Sequence, residues 1–190
     1  MNGNILANRD AVDRDKTDFY RTPAEVTVAL LNYLNLPSYT VIWEPACGEG
    51  HMSEAIKEFG YPVISSELYD RGYGLAGKDF LSVPTPSTAK WIITNPPFGR
   101  SVEFIDRCLD SGLPFALLFK SQYWHAEKRQ KLFYKRRPSS ILALNWRPDF
   151  LFGEKGGSPT MEVIWTVWDA EPSMLTDYLV VNKPILKKDK

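Results

Sequence analysis

This sequence contains few cysteines and histidines, and its formal net charge is zero. Two cysteines, Cys47 and Cys108, are too few for a disulfide framework, and both lie in apolar segments where reduced, buried thiols are typical. The two histidines, His51 and His125, are isolated, so no histidine pair predicts a metal site, and we predict no metal. Because 23 basic residues balance 23 acidic ones, any attraction to nucleic acid must come from a local patch. Apolar runs of about 18 residues and a secretion signal are also missing, so we expect a cytoplasmic protein without membrane contact.

Alternating strand and helix patterns predict an α/β fold. Short apolar runs without polar alternation are typical of parallel strands that are covered on both faces. Amphipathic helical patterns separate these runs, so we expect a mostly parallel sheet with helices on both faces. Thr22 and Pro23 predict a capped helix start, and Gly60 and Gly112 predict helix ends. The predicted strands are 40–45, 62–66, 91–94 and 114–119, and the predicted helices are 22–35, 52–59 and 102–109.

The last third of the sequence breaks this alternation. Residues 126–137 predict a strongly basic helix, and two β-rich runs follow at 141–146 and 161–168. A long loop, 147–160, joins these runs without a helix, so the two strands must be antiparallel neighbours. Gly153, Gly156 and Gly157 indicate that this loop is mobile.

The polar ends of the sequence set the predicted domain limits. Residues 1–17 are polar and lack a sustained period, which predicts a flexible N-terminal arm. We expect one domain over residues 18–170. Residues 171–190 end in KKDK and predict a solvated C-terminal tail.

The first candidate site is the glycine-rich stretch after the first predicted strand. Gly48 and Gly50 precede a helix, where missing side chains let the backbone approach a ligand and the helix start offers free N–H groups. The third glycine of the dinucleotide fingerprint and the lysine of a phosphate loop are both missing. Glu44 and Glu49 would repel a phosphate, so a neutral or positively charged ligand fits better. An ordinary strand-to-helix turn is the alternative interpretation.

The second candidate is Glu67, which follows the next predicted strand about 20 residues after the glycines. This spacing is typical of an acid that accepts hydrogen bonds from ribose hydroxyls. A solvated acid at a strand end would show the same pattern. Asp79 is a further, weaker candidate.

The third candidate is Asn95-Pro96-Pro97-Phe98, directly after a buried apolar run. Prolines remove N–H donors and fix the backbone, which leaves rigid carbonyl acceptors. The Asn95 side chain and the Pro96 carbonyl could accept both N–H bonds of an amino group while its ring stacks on Phe98. This arrangement suits the exocyclic amine of a base, although Asn-Pro is also a common turn initiator.

In this order the motifs resemble those of class I S-adenosylmethionine-dependent methyltransferases, in particular N6-adenine DNA methyltransferases and small phage-type adenine methylases. The resemblance covers roughly residues 18–168. DFYRTP (18–23) is similar to the family's N-terminal cofactor motif, EPACGEG (44–50) to its glycine-rich motif, and NPPF (95–98) to its catalytic tetrapeptide. The resemblance implies a Rossmann-like, mostly parallel seven-stranded sheet with an antiparallel last strand.

The resemblance also implies S-adenosyl-L-methionine as cofactor and N6 methylation of adenine in DNA. The tetrapeptide would be catalytic, with Glu67 on the ribose and Asp79 near the cofactor adenine. Residues 18–170 would form the methyltransferase domain. The implied cofactor-binding residues are Tyr20, Thr22, Pro23, Glu44, Pro45, Ala46, Gly48, Gly50, Glu67, Asp79 and Asn95.

Binding of a DNA partner requires contacts to phosphates. The basic segment 126–138 supplies candidate cations, although a solvated helix face would also be basic. Aromatic residues after the preceding strand could line a base pocket. The predicted nucleic-acid-binding residues are Tyr123, Trp124, Lys128, Arg129, Arg136 and Arg137.

Other functions remain open at this level. Family members that recognise a defined site usually carry a target recognition domain, for which 190 residues leave no room, so we expect low sequence specificity. An RNA-adenine or protein-glutamine methyltransferase is the enzymatic alternative, and a catalytically inactive nucleic-acid-binding relative is another. A nicotinamide-dependent enzyme conflicts with the incomplete glycine pattern. We expect a monomer or a weak homodimer.

Overall fold

The computed structural model describes residues 20–151 and 159–186. The predicted arm at 1–17, Asp18, Phe19 and the loop glycines at 153, 156 and 157 lie outside these residues. In chain order the elements are α1 (Ala24–Leu34), β1 (Ile42–Glu44), α2 (His51–Phe59), β2 (Val63–Ser65), β3 (Trp91–Thr94), α3 (Ser101–Ser111), β4 (Phe115–Lys120), α4 (Gln130–Lys135), β5 (Ser140–Leu144), β6 (Val163–Trp168) and β7 (Asp177–Val181).

The seven strands form one sheet in the order β2-β1-β3-β4-β6-β5-β7. Strands β2, β1, β3 and β4 are parallel neighbours, whereas β6 runs antiparallel to both β4 and β5. The mostly parallel sheet and the antiparallel pairing of β5 with β6 are therefore confirmed. The antiparallel strand is the sixth in the chain, not the last as expected, because β7 adds to the sheet parallel to β5.

Helices cover both faces of the sheet, as predicted. Side chains from α1 and α2, such as Leu30 and Ile56, share one buried cluster with Ile93 of β3. Side chains from α3, such as Phe104, share a second cluster with Ile92 of the same strand. Successive residues of a strand point to opposite faces, so this division explains why both faces of β3 are apolar.

Two of the three predicted helix boundaries are found. Gly60 and Gly112 adopt left-handed backbone conformations directly after α2 and α3, as helix-ending glycines do. The start of α1 differs, because Pro23 is the capping residue and no side chain caps the helix. The Thr22 hydroxyl instead accepts a hydrogen bond from the Asn95 side chain.

The predicted tail contributes a strand. Residues Asp177–Val181 form β7, which pairs along its full length with β5 at the edge of the sheet. The tail predicted to be solvated therefore contains an edge strand, whose side chains are mostly exposed. Among the residues described, none of the helices has the length and apolar character needed to cross a bilayer.

Candidate active site

A cavity of about 290 Å³, here called the first cavity, lies at the carboxyl ends of β1, β2 and β3. Glu44 ends β1, and Glu67 and Asn95 follow β2 and β3 closely, so the parallel topology brings the three predicted sites to one edge of the sheet. Most predicted cofactor residues line it: Tyr20, Thr22, Glu44, Pro45, Ala46, Glu67, Asp79 and Asn95. Pro23, Gly48 and Gly50 lie outside the walls that the structure describes.

Gly50 needs to be glycine for an intramolecular reason. Its φ of 89° lies in the left-handed region, and an added Cβ would stand 2.5 Å from the ring of Tyr73. The Tyr73 ring therefore occupies the space beside Gly50, where the glycine pattern predicts a ligand. The Tyr73 hydroxyl is held by Glu54 and Lys57 on α2, at 2.5 and 2.7 Å, so the loop after β2 is fixed across the glycine turn.

Glu67 connects the ends of β1 and β2. Its Oε2 accepts a hydrogen bond from the Gly48 N–H at 2.8 Å, and its Oε1 accepts from the N–H groups of Leu68 and Tyr69 at 2.8 and 3.3 Å. The side chain is buried but lies in the wall of the first cavity. Glu67 is thus held rigidly, with acceptor capacity left over, since a carboxylate offers about four lone-pair sites.

Glu44 is fully buried at the end of β1. Burial away from water is the main cause that raises the pKa of this carboxyl to about 8, and the neighbouring Glu67 adds to the effect. Hydrogen bonding with the Ser53 hydroxyl opposes the rise, and Ser53 in turn lies 2.6 Å from the Ser65 hydroxyl. At neutral pH Glu44 is therefore mostly protonated.

Asp79 also lines the first cavity, at the start of a turn. Its Oδ1 accepts from the Leu81 N–H at 3.0 Å, and Arg100 approaches the same oxygen at 4.0 Å. Both side chains are more than a third exposed, so the ion pair is weak.

Asn95 has one satisfied and one unsatisfied side-chain group. Its Nδ2 donates a hydrogen bond to the Thr22 hydroxyl at 3.1 Å, which fixes the orientation of the amide. Its Oδ1 is buried and accepts no hydrogen bond from the residues that the structure describes. A buried acceptor without a donor costs about 1 to 3 kcal/mol, so such an atom in a cavity wall indicates a place for a ligand donor.

The rest of the tetrapeptide is partly used by the chain itself. The Pro97 carbonyl accepts from the Arg100 N–H at 2.9 Å, and the Phe98 carbonyl accepts from the Ser101 hydroxyl at 2.9 Å. The prediction that the carbonyls of this turn are free is therefore wrong for these two. The 3₁₀ turn from Phe98 that leads into α3 uses them.

Phe98 lies beside the first cavity, not in its walls. Its ring is 5.6 Å from the ring of Tyr20, and the Lys120 Nζ stands 4.8 Å from its centre. Phe98 lines instead a second cavity, of about 220 Å³. The full lining of this second cavity is Phe98, Gly99, Ser101, Val102, Lys128, Arg129 and Leu132.

Tyr123 is buried in the core and Trp124 is half-buried against it, and neither lines the first or the second cavity, although the sequence predicts both in a base pocket. The Tyr123 ring is buried and stacks on Phe119 at 4.0 Å, and the Arg129 guanidinium lies 3.8 Å above it. Trp124 donates to the Thr166 hydroxyl at 3.2 Å and packs edge-on against Phe133. A 3₁₀ turn directly after β4 directs both rings toward the sheet.

The basic segment is not one long helix. A 3₁₀ turn at Glu127–Arg129 leads into the short α4, and Arg136 is already extended. Most cations of the segment contact the chain itself, which weakens the prediction of a broad phosphate-binding patch. Arg129 donates to the Tyr123 carbonyl, Lys135 pairs with Asp106, Arg136 donates to the carbonyls of Asp169 and Ala170, and Arg137 donates to the Met174 carbonyl. Lys128 and Lys131 are exposed.

Several wall residues of the first cavity are absent from the sequence prediction. Those named below lie one or two residues after a predicted site residue, so proximity in the chain was the available signal. No group of three or more histidine, cysteine or acidic side chains suited to a metal occurs in the described part of the chain. The additional wall residues include Cys47, Leu68, Tyr69, Phe80 and Arg100.

Comparison with known proteins identifies the fold. No protein-family model matches the sequence, and no curated protein is significantly similar to it. Solved structures do match. A Listeria monocytogenes protein assigned to the class I S-adenosylmethionine-dependent methyltransferases has a TM-score of 0.61 at 15% identity, over 88% of this chain and 67% of its own. A candidate RNA methyltransferase from Pyrococcus horikoshii has a TM-score of 0.63 at 16% identity, over 80% and 88%.

A third match is the modification subunit of a candidate type I restriction enzyme from Vibrio vulnificus. Its TM-score is 0.59 at 15% identity, over 90% of this chain but only 48% of the Vibrio chain. This chain therefore spans about half the length of that protein. The seven-stranded sheet, its covered faces and these matches show that the chain has the Rossmann-like fold of class I S-adenosylmethionine-dependent methyltransferases.

Proposed function

We propose that this protein transfers a methyl group from S-adenosylmethionine to the exocyclic N6 amine of adenine in DNA. The observation that carries the proposal is the buried, unsatisfied Oδ1 of Asn95, in the wall of the first cavity. An N–H donor from an amine would satisfy it.

The first cavity fits the cofactor in its chemistry. Glu67 offers a buried carboxylate for hydroxyl donors, and Glu44 is mostly neutral, so the site does not accumulate adjacent negative charges. Apolar walls such as Phe80 and Met52 suit a planar base. When bound, S-adenosylmethionine supplies an electrophilic methyl group on a positively charged sulfur.

Asn95 is the residue that makes the amine reactive in this scheme. The lone pair of an adenine amine is delocalised into the ring, and methylation requires it to localise on a tetrahedral nitrogen that gains positive charge. The Asn95 Oδ1 is a fixed dipole that stabilises this charge, because Thr22 holds the amide before the substrate arrives. We assign the second acceptor to the Pro96 carbonyl, since those of Pro97 and Phe98 are engaged.

Phe98 is assigned to stacking on the target base. If the substrate is duplex DNA, the base must leave the stack at a cost of a few kcal/mol, which stacking on an aromatic ring offsets in part. The nearby Lys120 and the second cavity with Lys128 and Arg129 favour a nucleic acid over a protein substrate.

Asn95→Ala tests the proposal. Loss of one preorganised dipole lowers turnover by about 10² to 10³-fold, so we expect methyl transfer to fall by at least about 10²-fold while cofactor affinity changes little. Asn32→Ala, at an exposed position of α1, is the matched control. Tritium transfer from labelled S-adenosylmethionine to DNA, RNA and protein in parallel measures both the effect and the substrate.

The parallel assays separate the alternatives. Transfer to RNA or to protein glutamine, without transfer to DNA, would replace the substrate and keep the role of Asn95. Full activity of Asn95→Ala would reject the catalytic assignment, and cofactor binding without any transfer would indicate an inactive relative.

A further inference from the structure

The second cavity has a positive lining that the proposed reaction does not require. Lys128 and Arg129 line it, and no acidic residue does so among the described residues. Glu103 and Glu127, which neighbour lining residues in the chain, are exposed and lie outside its walls. The first turn of α3 also lies in the wall, and the positive end of a helix dipole favours an anion.

Arg129 is held in place, unlike a typical surface arginine. Its guanidinium lies 3.8 Å from the Tyr123 ring centre and donates to the Tyr123 carbonyl. Its Nε is buried and has no acceptor among the described residues. A bound anion would meet a cation whose position is already fixed, so little side-chain entropy would be lost.

The second cavity adjoins the proposed catalytic turn. Gly99 lines both cavities, and Phe98 lies in the wall of the second. A group bound there would be next to a base that stacks on Phe98. The volume of about 220 Å³ exceeds what a phosphate alone needs, and Val102 and Leu132 add apolar wall.

We propose that the second cavity binds one backbone phosphate of the substrate strand, with its sugar, next to the target nucleotide. This inference rests on the proposed function, because it takes the strand that carries the target adenine as the ligand. Lys128 and Arg129 supply the charge, and Val102 and Leu132 contact the sugar.

Lys128→Ala tests the site, with Lys131→Ala as the matched control. Both lysines are exposed in the same segment and both variants lose one charge, but only Lys128 lines the cavity. Binding of the full chain to a fluorescent single-stranded oligonucleotide with one adenine is measured by anisotropy over a range of salt concentrations. Loss of one phosphate contact reduces the slope of log affinity against log salt by about 0.7, which is about fivefold in affinity near 0.1 M salt.

Neutral methylphosphonates, placed singly along the oligonucleotide, locate the contact. At one position beside the adenine, the substitution should weaken binding by the wild type and by Lys131→Ala about fivefold. It should weaken binding by Lys128→Ala less, because only Arg129 then contacts the phosphate. Equal responses of the two variants at every position, or no binding by the wild type, would overturn the proposal. The binding measurement needs neither cofactor nor turnover. A methylphosphonate effect at one position without methyl transfer would therefore reject only the proposed reaction. Methyl transfer without such an effect would reject only the phosphate site in the second cavity.

Discussion

Glu44→Gln tests the buried acid at the end of β1. Gln has the same shape and is neutral at every pH, so it imitates the protonated carboxyl. In the folded chain the pKa of Glu44 is about 8, against an ordinary value of 4.5. The folded chain therefore keeps a proton that the unfolded chain releases, and rising pH favours unfolding between these two values.

The size of the effect follows from that difference. Each pH unit between about 4.5 and 8 lowers the free energy of unfolding by up to about 1.4 kcal/mol, for a total of roughly 4 to 5 kcal/mol. This contribution is fully present below pH 4.5 and is lost by pH 8. We therefore expect the wild type to become progressively less stable than Glu44→Gln over this range.

Urea unfolding at a series of pH values from 5 to about 9 measures the difference between the two proteins. Every other titrating group is present in both proteins, so its contribution cancels in the difference between their free energies of unfolding. Glu58→Gln makes the same substitution at an exposed position of α2 and should follow the wild type. Parallel stability curves for the wild type and Glu44→Gln would refute the reasoning that burial keeps Glu44 protonated.

Three further predictions concern positions far apart in the fold. Thr22→Val should lower the turnover number about threefold to tenfold by releasing the Asn95 amide, whereas Thr22→Ser, which keeps the hydroxyl, should retain activity. Gly50→Ala should destabilise the protein by about 1 to 3 kcal/mol in urea unfolding, because φ is positive and the Tyr73 ring blocks the Cβ. Deletion of residues 177–190 should lower the thermal midpoint by uncovering the edge of β5, whereas removal of the last few residues should not.

The sequence alone determined those features that depend on neighbours in the chain. Apolar runs without alternation located the buried strands, and Gly60 and Gly112 located helix ends, because strand burial and helix termination are set by local periodicity and backbone freedom. The placement of Glu67 and Asn95 at one edge followed from the parallel topology, since the carboxyl ends of parallel strands meet there.

Only the tertiary structure decided how several of these residues are used. The sequence pattern predicts that Thr22 caps a helix, yet its hydroxyl bonds the Asn95 side chain, 73 positions away. The space beside Gly50 is filled by the Tyr73 ring. Arg136 and Arg137 of the basic segment bond carbonyls that lie more than 30 residues further along the chain, and β7 pairs with β5 across a similar separation. Contacts at such separations leave no period in the sequence, because they depend on which surfaces the completed sheet brings together.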